Sequence, residues 1–207
     1  MPGRTVKLLE RKSDDFNHTF KLIFTYNRFT GKTREVLNLS SYNYLGFGEN
    51  CGPCTDSVEQ AIKKYGITNC SSRLETGLTD IQIETENLVA RFMGQEASII
   101  CSMGFATNAT MIPALIGKGG LIISDELNHS SLVNGARLSG ASIRVFKHND
   151  PLDLEAVLRE VISQGQPRTH RPWKKILLVV EGLYSMEGNI CKLPEFVELK
   201  KKYKVYY

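Results

Sequence analysis

Residues 120–146 read GLIISDELNHSSLVNGARLSGASIRVF, and this stretch decides the fold. Gly120–Ser124 is a short apolar run that predicts a buried strand. A polar turn and a helical pattern over His129–Leu138 follow, and Ser142–Phe146 predicts a second strand. A strand, a helix and another strand within roughly thirty residues are typical of a parallel βαβ unit.

The residues after this unit, and those just before it, continue the alternation of strands and helices. Asp150 is a good N-cap and Pro151 suits the first position of a helix, so a helix is predicted from Pro151 through Val161. Further strands are predicted at Ala97–Cys101, at Lys175–Val180 and from Val205 onward, with helices at Phe105–Ile116 and Pro194–Lys202. We therefore predict the α/β class, with a mostly parallel sheet and helices on both of its faces.

The N-terminal quarter of the chain is less regular. Residues 1–34 predict an arm or a short hairpin, and Leu37–Leu39 predicts a short strand. Helices are predicted at Pro53–Tyr65 and Thr79–Met93, with Thr79 as N-cap of the second. We divide the chain into an N-terminal segment, 1–50, and a larger region, 51–207. Because the chain ends inside a predicted strand, we expect these residues to be part of a longer, truncated domain.

Composition excludes several functional classes. Hydrophobic residues make up 42% of the 207, charged residues 23%, and the net charge is +4, all ordinary for a globular protein. Basic and acidic residues are interspersed along the chain, so the basic runs at 168–175 and 200–202 favour solvated surface over a nucleic-acid patch. No apolar run reaches the ~18 residues of a membrane span, and the first residues lack a signal-peptide pattern. An odd number of cysteines, five, favours a reducing compartment.

Three turns that follow predicted strands carry the polar chemistry. Ligands of open α/β sheets bind at the carboxyl ends of the strands. The turn at 102–108 places a glycine before a helix, which suits a phosphate cradle, although a plain tight turn is the alternative. The turn at 124–131 holds His129 among hydroxyl and amide side chains, and that at 181–188 holds two carboxylates.

Cys51 and Cys54 have the spacing of a thioredoxin-like redox site with a helix following. The residues before them do not read as a buried strand, and that interpretation leaves the rest of the chain unexplained. A redox module therefore stays a minor alternative.

Five stretches, taken together, resemble the α-oxoamine synthases, which are pyridoxal-phosphate (PLP) enzymes of the aspartate-aminotransferase fold, fold type I. In chain order they are 41–46 (SYNYLG), 71–77 (SSRLETG), 104–108 (GFATN), 124–129 (SDELNH) and 181–188 (EGLYSMEG). The resemblance extends from about residue 6 to residue 207. It implies that residues 51–207 are the N-terminal part of a PLP-binding large domain.

The resemblance implies that five residues lie at the cofactor. Gly104 and Phe105 would contact its phosphate. His129 would stack on the pyridine ring and orient the substrate carboxylate. Ser131 and Ser185 would lie near the cofactor or the substrate.

Three further residues, Tyr42, Asn43 and Arg73, would approach the substrate by the same resemblance. Tyr42 and Asn43 could do so across a subunit interface. The family's aspartate for the pyridine nitrogen and its Schiff-base lysine match no stretch of these 207 residues, so we expect the chain by itself to be inactive. A non-catalytic form that binds and regulates the complete enzyme is an alternative.

Residues 165–175, GQPRTHRPWKK, are most similar to the eukaryotic members that condense L-serine with palmitoyl-CoA. That similarity implies 3-ketosphinganine, CoA and CO2 as products, and a heterodimer with a first subunit and associated small subunits. It also implies the cytosolic face of the endoplasmic reticulum membrane. Members that make 5-aminolevulinate, 8-amino-7-oxononanoate or 2-amino-3-oxobutyrate are the alternatives.

Overall fold

The structure is a computed structural model that describes residues 5–11, 29–37 and 42–206 apart from 44, 46, 49 and 69. The chain divides into two compact units, residues 1–88 and 89–207. The sequence-based division after residue 50 stays a prediction.

Two antiparallel strands begin the first unit. β1 (Thr5–Arg11) pairs with β2 (Phe29–Leu37), and Thr5 lies opposite Leu37. The predicted hairpin pairing is thereby confirmed, whereas residues 38 and 39 of the predicted short strand lie outside the described residues. Helix α1 spans Pro53–Tyr65 as predicted, and α2 spans Asp80–Met93.

Thr79 and Gln82 cap the start of α2 reciprocally. The Gln82 N–H donates to Thr79 Oγ1 at 3.3 Å, and the Thr79 N–H donates to Gln82 Oε1 at 2.9 Å. This pair forms a capping box, which satisfies two backbone donors that a helix start leaves open. The predicted N-cap is confirmed.

Three parallel strands form the sheet of the second unit, in the order β4-β3-β5. They are β3 (Leu121–Asp125), β4 (Ser142–Phe146) and β5 (Ile176–Val179). Tyr206 adds a parallel bridge to Leu177 of β5, where a further strand is predicted from Val205 onward. The other elements are α3 (Gly104–Leu115), α4 (Ser130–Ser139), α5 (Pro151–Gln164), the two-residue strands β6 (Leu183–Tyr184) and β7 (Asn189–Ile190), and α6 (Leu193–Tyr203).

Helices cover both faces of this sheet, as predicted. Leu121 and Ile123 of β3 belong to the core built by α5 and α6, whose buried members include Leu154, Leu158 and Phe196. Ile122 belongs to a second core on the opposite face, with Ile112, Ile116, Ala136 and Leu177. Because β3 is buried on both faces, its sequence is a continuous apolar run rather than an alternating one.

The start of α5 also matches its prediction. The Asp150 side chain accepts hydrogen bonds from the Leu152 N–H at 2.9 Å and the Asp153 N–H at 3.2 Å, and Pro151 occupies the first helical position. The polar N-cap and the proline together fix the residue at which α5 begins.

The strand predicted at Ala97–Cys101 is wrong for this structure. These residues are not part of any strand among the described residues, and Ile99 is 60% exposed. A strand exists only where a neighbour accepts and donates its backbone hydrogen bonds, and an apolar run supplies the side chains but not that neighbour. None of the described strands pairs with this run.

Gly135 allows α3 and α4 to cross closely. A Cβ at this position would lie 2.6 Å from the Asn108 carbonyl oxygen and 3.0 Å from Ile112 Cδ1. The absent side chain therefore sets the distance between the two helices, and with it the contact between Asn108 and the start of α4.

Replacing Gly135 by alanine is expected to destabilise the protein. Overpacking a helix crossing costs about 1–3 kcal/mol, which outweighs the gain of up to ~1 kcal/mol in helix propensity. Urea denaturation of the Gly135→Ala variant measures the difference, with Asn134→Ala, an exposed position of the same helix, as the control. A Gly135→Ala protein at least as stable as the parent would contradict the crossing described here.

Candidate functional site

The loops that leave the carboxyl ends of β3, β4 and β5 meet at one edge of the sheet. Asn128, in the loop after β3, donates its amide to the Val179 carbonyl of β5 at 2.8 Å and to Ser124 Oγ at 2.9 Å. The Glu181 carboxylate, after β5, accepts a hydrogen bond from the His129 backbone N–H. These bonds hold the loops after β3 and β5 together.

His129 stands at the N-cap of α4 with one ring nitrogen engaged. Its Nδ1 lies 2.8 Å from Ser131 Oγ and accepts a hydrogen bond from the Ser131 backbone N–H at 3.2 Å. The Asn108 amide of α3 donates to Ser131 Oγ at 3.0 Å, so the hydroxyl proton is free to point at Nδ1.

This chain of hydrogen bonds sets the tautomer of His129. A nitrogen that accepts from a backbone N–H carries no proton of its own, so the ring proton lies on Nε2. The Nε2–H has no partner among the described residues and is therefore available as a donor.

The start of α3 lies beside His129. The rings of Phe105 and His129 meet edge to face with centroids 6.4 Å apart. No side chain caps α3 at Met103, and a Cβ at Gly104 would meet none of the described atoms within 4 Å. The first backbone N–H groups of α3 are therefore open to an anion.

One buried polar atom at this edge has no partner in the part of the chain that the structure describes. Asn128 Oδ1 is buried, and among the described residues nothing donates to it. An unsatisfied buried acceptor costs about 1–3 kcal/mol. A ligand or an ordered water that donates to it would recover this free energy.

Ser185 is the fifth residue expected at the cofactor. It is exposed in the turn between β6 and β7, and none of the hydrogen bonds among the described residues joins it to His129 or Ser131. Its expected role at the cofactor stays a prediction.

The three predicted substrate residues lie in the first unit. Tyr42 is exposed, and Asn43 Oδ1 accepts a hydrogen bond from the Gly48 N–H at 2.9 Å, which shapes the local turn. Arg73 Nη2 lies 2.6 Å from the largely buried Glu86 Oε2. The guanidinium is thus fixed in direction, and the substrate roles of all three stay predictions.

Sequence reasoning included Asn108 and Glu181 in its motifs but assigned neither of them a contact in the site. Asn108 lies one helical turn after Phe105, so the spacing of α3 could have placed both side chains near α4. The hydrogen bond from His129 to Glu181 joins residues 52 apart and depends on the parallel register, for which the sequence carries no local signal.

The match to a known family covers most of the chain. The family model for aminotransferase class I and II matches residues 34–207. The chain belongs to this family. The predicted fold class is confirmed by solved structures of the family: Sphingomonas wittichii serine palmitoyltransferase has a TM-score of 0.73 and 32% identity, covering 86% of this chain and 41% of that one. A high-resolution structure of SPT with the PLP internal aldimine has a TM-score of 0.72 and 31% identity, covering 86% and 42%.

Curated relatives within the aminotransferase class I and II family are more similar in sequence. Serine palmitoyltransferase 2 of Schizosaccharomyces pombe is 58% identical over 206 residues, which are 100% of this chain and 33% of that protein. Long chain base biosynthesis protein 2b of Arabidopsis thaliana is 57% identical over 205 residues, which are 99% and 40%. The chain therefore spans between a third and two fifths of the length of these relatives.

The Nδ1 hydrogen bonds predict one dominant His129 tautomer. Imidazole ¹⁵N chemical shifts of the 207-residue protein should show the proton on Nε2. In Ser131→Ala one of the two donors to Nδ1 is lost, so the Nδ1–H form should become measurable, since a neutral hydrogen bond is worth about 0.5–1.5 kcal/mol. Ser130→Ala, one residue away and exposed, is the control. Comparable amounts of both tautomers in the parent would contradict this geometry.

Proposed function

We propose that the chain is the cofactor-binding and substrate-orienting part of a serine palmitoyltransferase catalytic subunit. The whole protein would condense L-serine with palmitoyl-CoA to give 3-ketosphinganine, CoA and CO2. The observation that carries the proposal is a series of hydrogen bonds, from Asn108 to Ser131 and from Ser131 to His129, which lies beside the uncapped start of α3. The relatives named serine palmitoyltransferase 2, which match almost the whole chain at 52–58% identity, support the choice of reaction.

The residues at this edge fit pyridoxal phosphate. The open N–H groups at Gly104 and Phe105 suit its dianionic phosphate, and the positive end of the α3 dipole favours the same charge. The ring of His129 would offer an aromatic surface to a heteroaromatic ring, and Ser131 and Ser185 would lie near the cofactor or the substrate. When bound, pyridoxal phosphate supplies an electron sink for the loss of a Cα substituent.

His129 would recognise the carboxylate of L-serine. Its Nε2–H is held outward because Nδ1 is engaged by Ser131. A hydrogen bond to a charged group contributes about 1.5–3 kcal/mol, and an aromatic contact about 0.5–1.5 kcal/mol beyond burial. The imidazole would thus orient the substrate.

Three residues of the first unit would complete the substrate site. Tyr42, Asn43 and Arg73 would approach the substrate, with Arg73 aligned by Glu86. No lysine of the 207 residues is assigned to the Schiff base.

In the whole protein we place the chain in a heterodimer with the first subunit and associated small subunits, at the cytosolic face of the endoplasmic reticulum. Of the helices that the structure describes, none has the length and apolar character needed to cross a bilayer.

Two substitutions of His129 test the proposal in the full-length heterodimer. His129→Phe keeps an aromatic ring and removes the N–H, so it should raise the apparent Kd for L-serine by about 10- to 150-fold, the equivalent of the lost hydrogen bond to a charge. His129→Ala loses both contacts and should bind serine more weakly still. Cofactor absorbance during serine titration measures both, with Ser130→Ala as the control. Serine affinities equal to that of the parent would show that His129 has only a structural role.

A further inference from the structure

Three residues next to the loops of the site, two of them buried and one half-buried, are not used in the proposed chemistry. They are Asp125 at the end of β3, His148 just after β4, and Tyr184 in β6. We propose that His148 is a positioning residue for His129, and that with Asp125 and Tyr184 it forms a brace that fixes the backbone on both sides of the imidazole. The effect of this brace on serine binding rests on the proposed function.

The first arm of the brace is the Asp125 carboxylate. It accepts hydrogen bonds from His148 Nδ1 at 2.8 Å, the Leu127 N–H at 2.8 Å and the Asn149 N–H at 2.9 Å. Asp125 is 2% exposed, and a buried carboxylate is tolerated only when such donors replace water. Leu127 precedes His129 by two residues, so this arm fixes the loop that leads into the imidazole.

The backbone around His148 strengthens the same arm. The His148 N–H donates to Glu126 Oε2 at 3.2 Å, and the Glu126 N–H donates to the Phe146 carbonyl at 3.1 Å. The loop after β4 therefore holds the loop after β3 through both side chains and backbone.

The second arm runs through Tyr184. The His148 and Tyr184 rings meet edge to face, with centroids 4.5 Å apart and planes at 83°. The Tyr184 hydroxyl accepts a hydrogen bond from the Glu181 N–H at 3.2 Å, and the Glu181 carboxylate accepts one from the His129 N–H. Burial, with the Asp125 carboxylate nearby, raises the pKa of Tyr184 well above its ordinary value, so the phenol stays neutral.

Histidine meets both requirements of position 148 at once. It donates from Nδ1 to a buried carboxylate while its ring packs against a buried phenol. Its other nitrogen, Nε2, lies 3.3 Å from Asn189 Nδ2, so the ring is held at both nitrogens. None of the hydrogen bonds among the described residues joins His148 to the His129 ring, so His148 acts on His129 through Asp125 and Tyr184.

Substitutions separate the two arms. His148→Phe keeps the packing on Tyr184 but cannot donate to Asp125. His148→Asn keeps a donor near the Nδ1 position and loses the ring. Tyr184→Phe keeps the ring and removes the hydroxyl that holds Glu181, a change small enough to leave the core filled. Val161→Ala, in the core formed with α5, is the control for a purely destabilising change.

The first measurement needs neither cofactor nor activity. In the 207-residue protein, the ¹⁵N and ¹H signals of the His129 ring should shift and broaden in His148→Phe and Tyr184→Phe, and stay in place in Val161→Ala. In His148→Asn, the His129 ring signals should stay close to their positions in the parent protein. If His148→Phe does not fold, Tyr184→Phe decides, and an unchanged His129 spectrum in a folded Tyr184→Phe protein overturns the brace.

The second measurement is the split of KM values in the full-length heterodimer. His148→Phe should raise KM for L-serine about threefold to tenfold, which is what one weakened orienting hydrogen bond is worth, while KM for palmitoyl-CoA changes less than about twofold. His148→Asn should recover part of this loss, and Val161→Ala should leave both KM values unchanged. Equal rises in both KM values, or no rise in a variant whose His129 spectrum has moved, would reject the brace as a determinant of serine binding.

The two proposals fail in different ways. If the His129 spectrum responds to His148→Phe but His129→Phe leaves serine binding intact, the proposed role of His129 is wrong and the brace stands. If His129→Phe weakens serine binding but the brace variants move neither the spectrum nor KM, the proposed function stands and the brace is wrong.

Discussion

The parallel pairing of β3 with both β4 and β5 is the constraint on which the rest of the second unit depends. The register places Leu121 opposite Ser142 on one side and Ile176 on the other, so all three strands run their carboxyl ends to one edge. Only that alignment brings loops from distant parts of the sequence within hydrogen-bonding distance. It also buries β3 on both faces, which explains why residues 121–123 of this strand are all apolar.

The polar groups at this edge fall into two sets with opposite requirements. Those on the core side, such as Asp125, are buried and find their donors inside the protein, and Asn128 Oδ1 is the exception among the described residues. Those on the open side, the Nε2–H of His129 and the first N–H groups of α3, have no partner among the described residues. A satisfied interior behind an unsatisfied surface is the arrangement expected of a binding site whose geometry is set before the ligand arrives.

The sequence predicts what is local and fails where a distant partner decides. Asp150 and Pro151 specify the start of α5 by themselves, and the helix begins there. The run at Ala97–Cys101 has the side chains of a strand but pairs with none of the described strands. Phe105, His129 and Ser131 could be grouped because each follows the end of a predicted strand, although the one before Phe105 is not formed. The contact between Asp125 and His148, in contrast, spans 23 residues and needs the register of β3 on β4. No local pattern distinguishes such a histidine from an ordinary surface one.

The missing side chain at Gly135 has an effect on binding entropy. Because the α4 backbone rests directly against the Asn108 carbonyl, α3 and α4 have little room to move relative to each other. The open N–H groups at the start of α3 and the imidazole at the start of α4 are thus held in a fixed position relative to each other. An anion that binds there does not have to order two independent segments, so little of its interaction energy is lost to immobilising the protein.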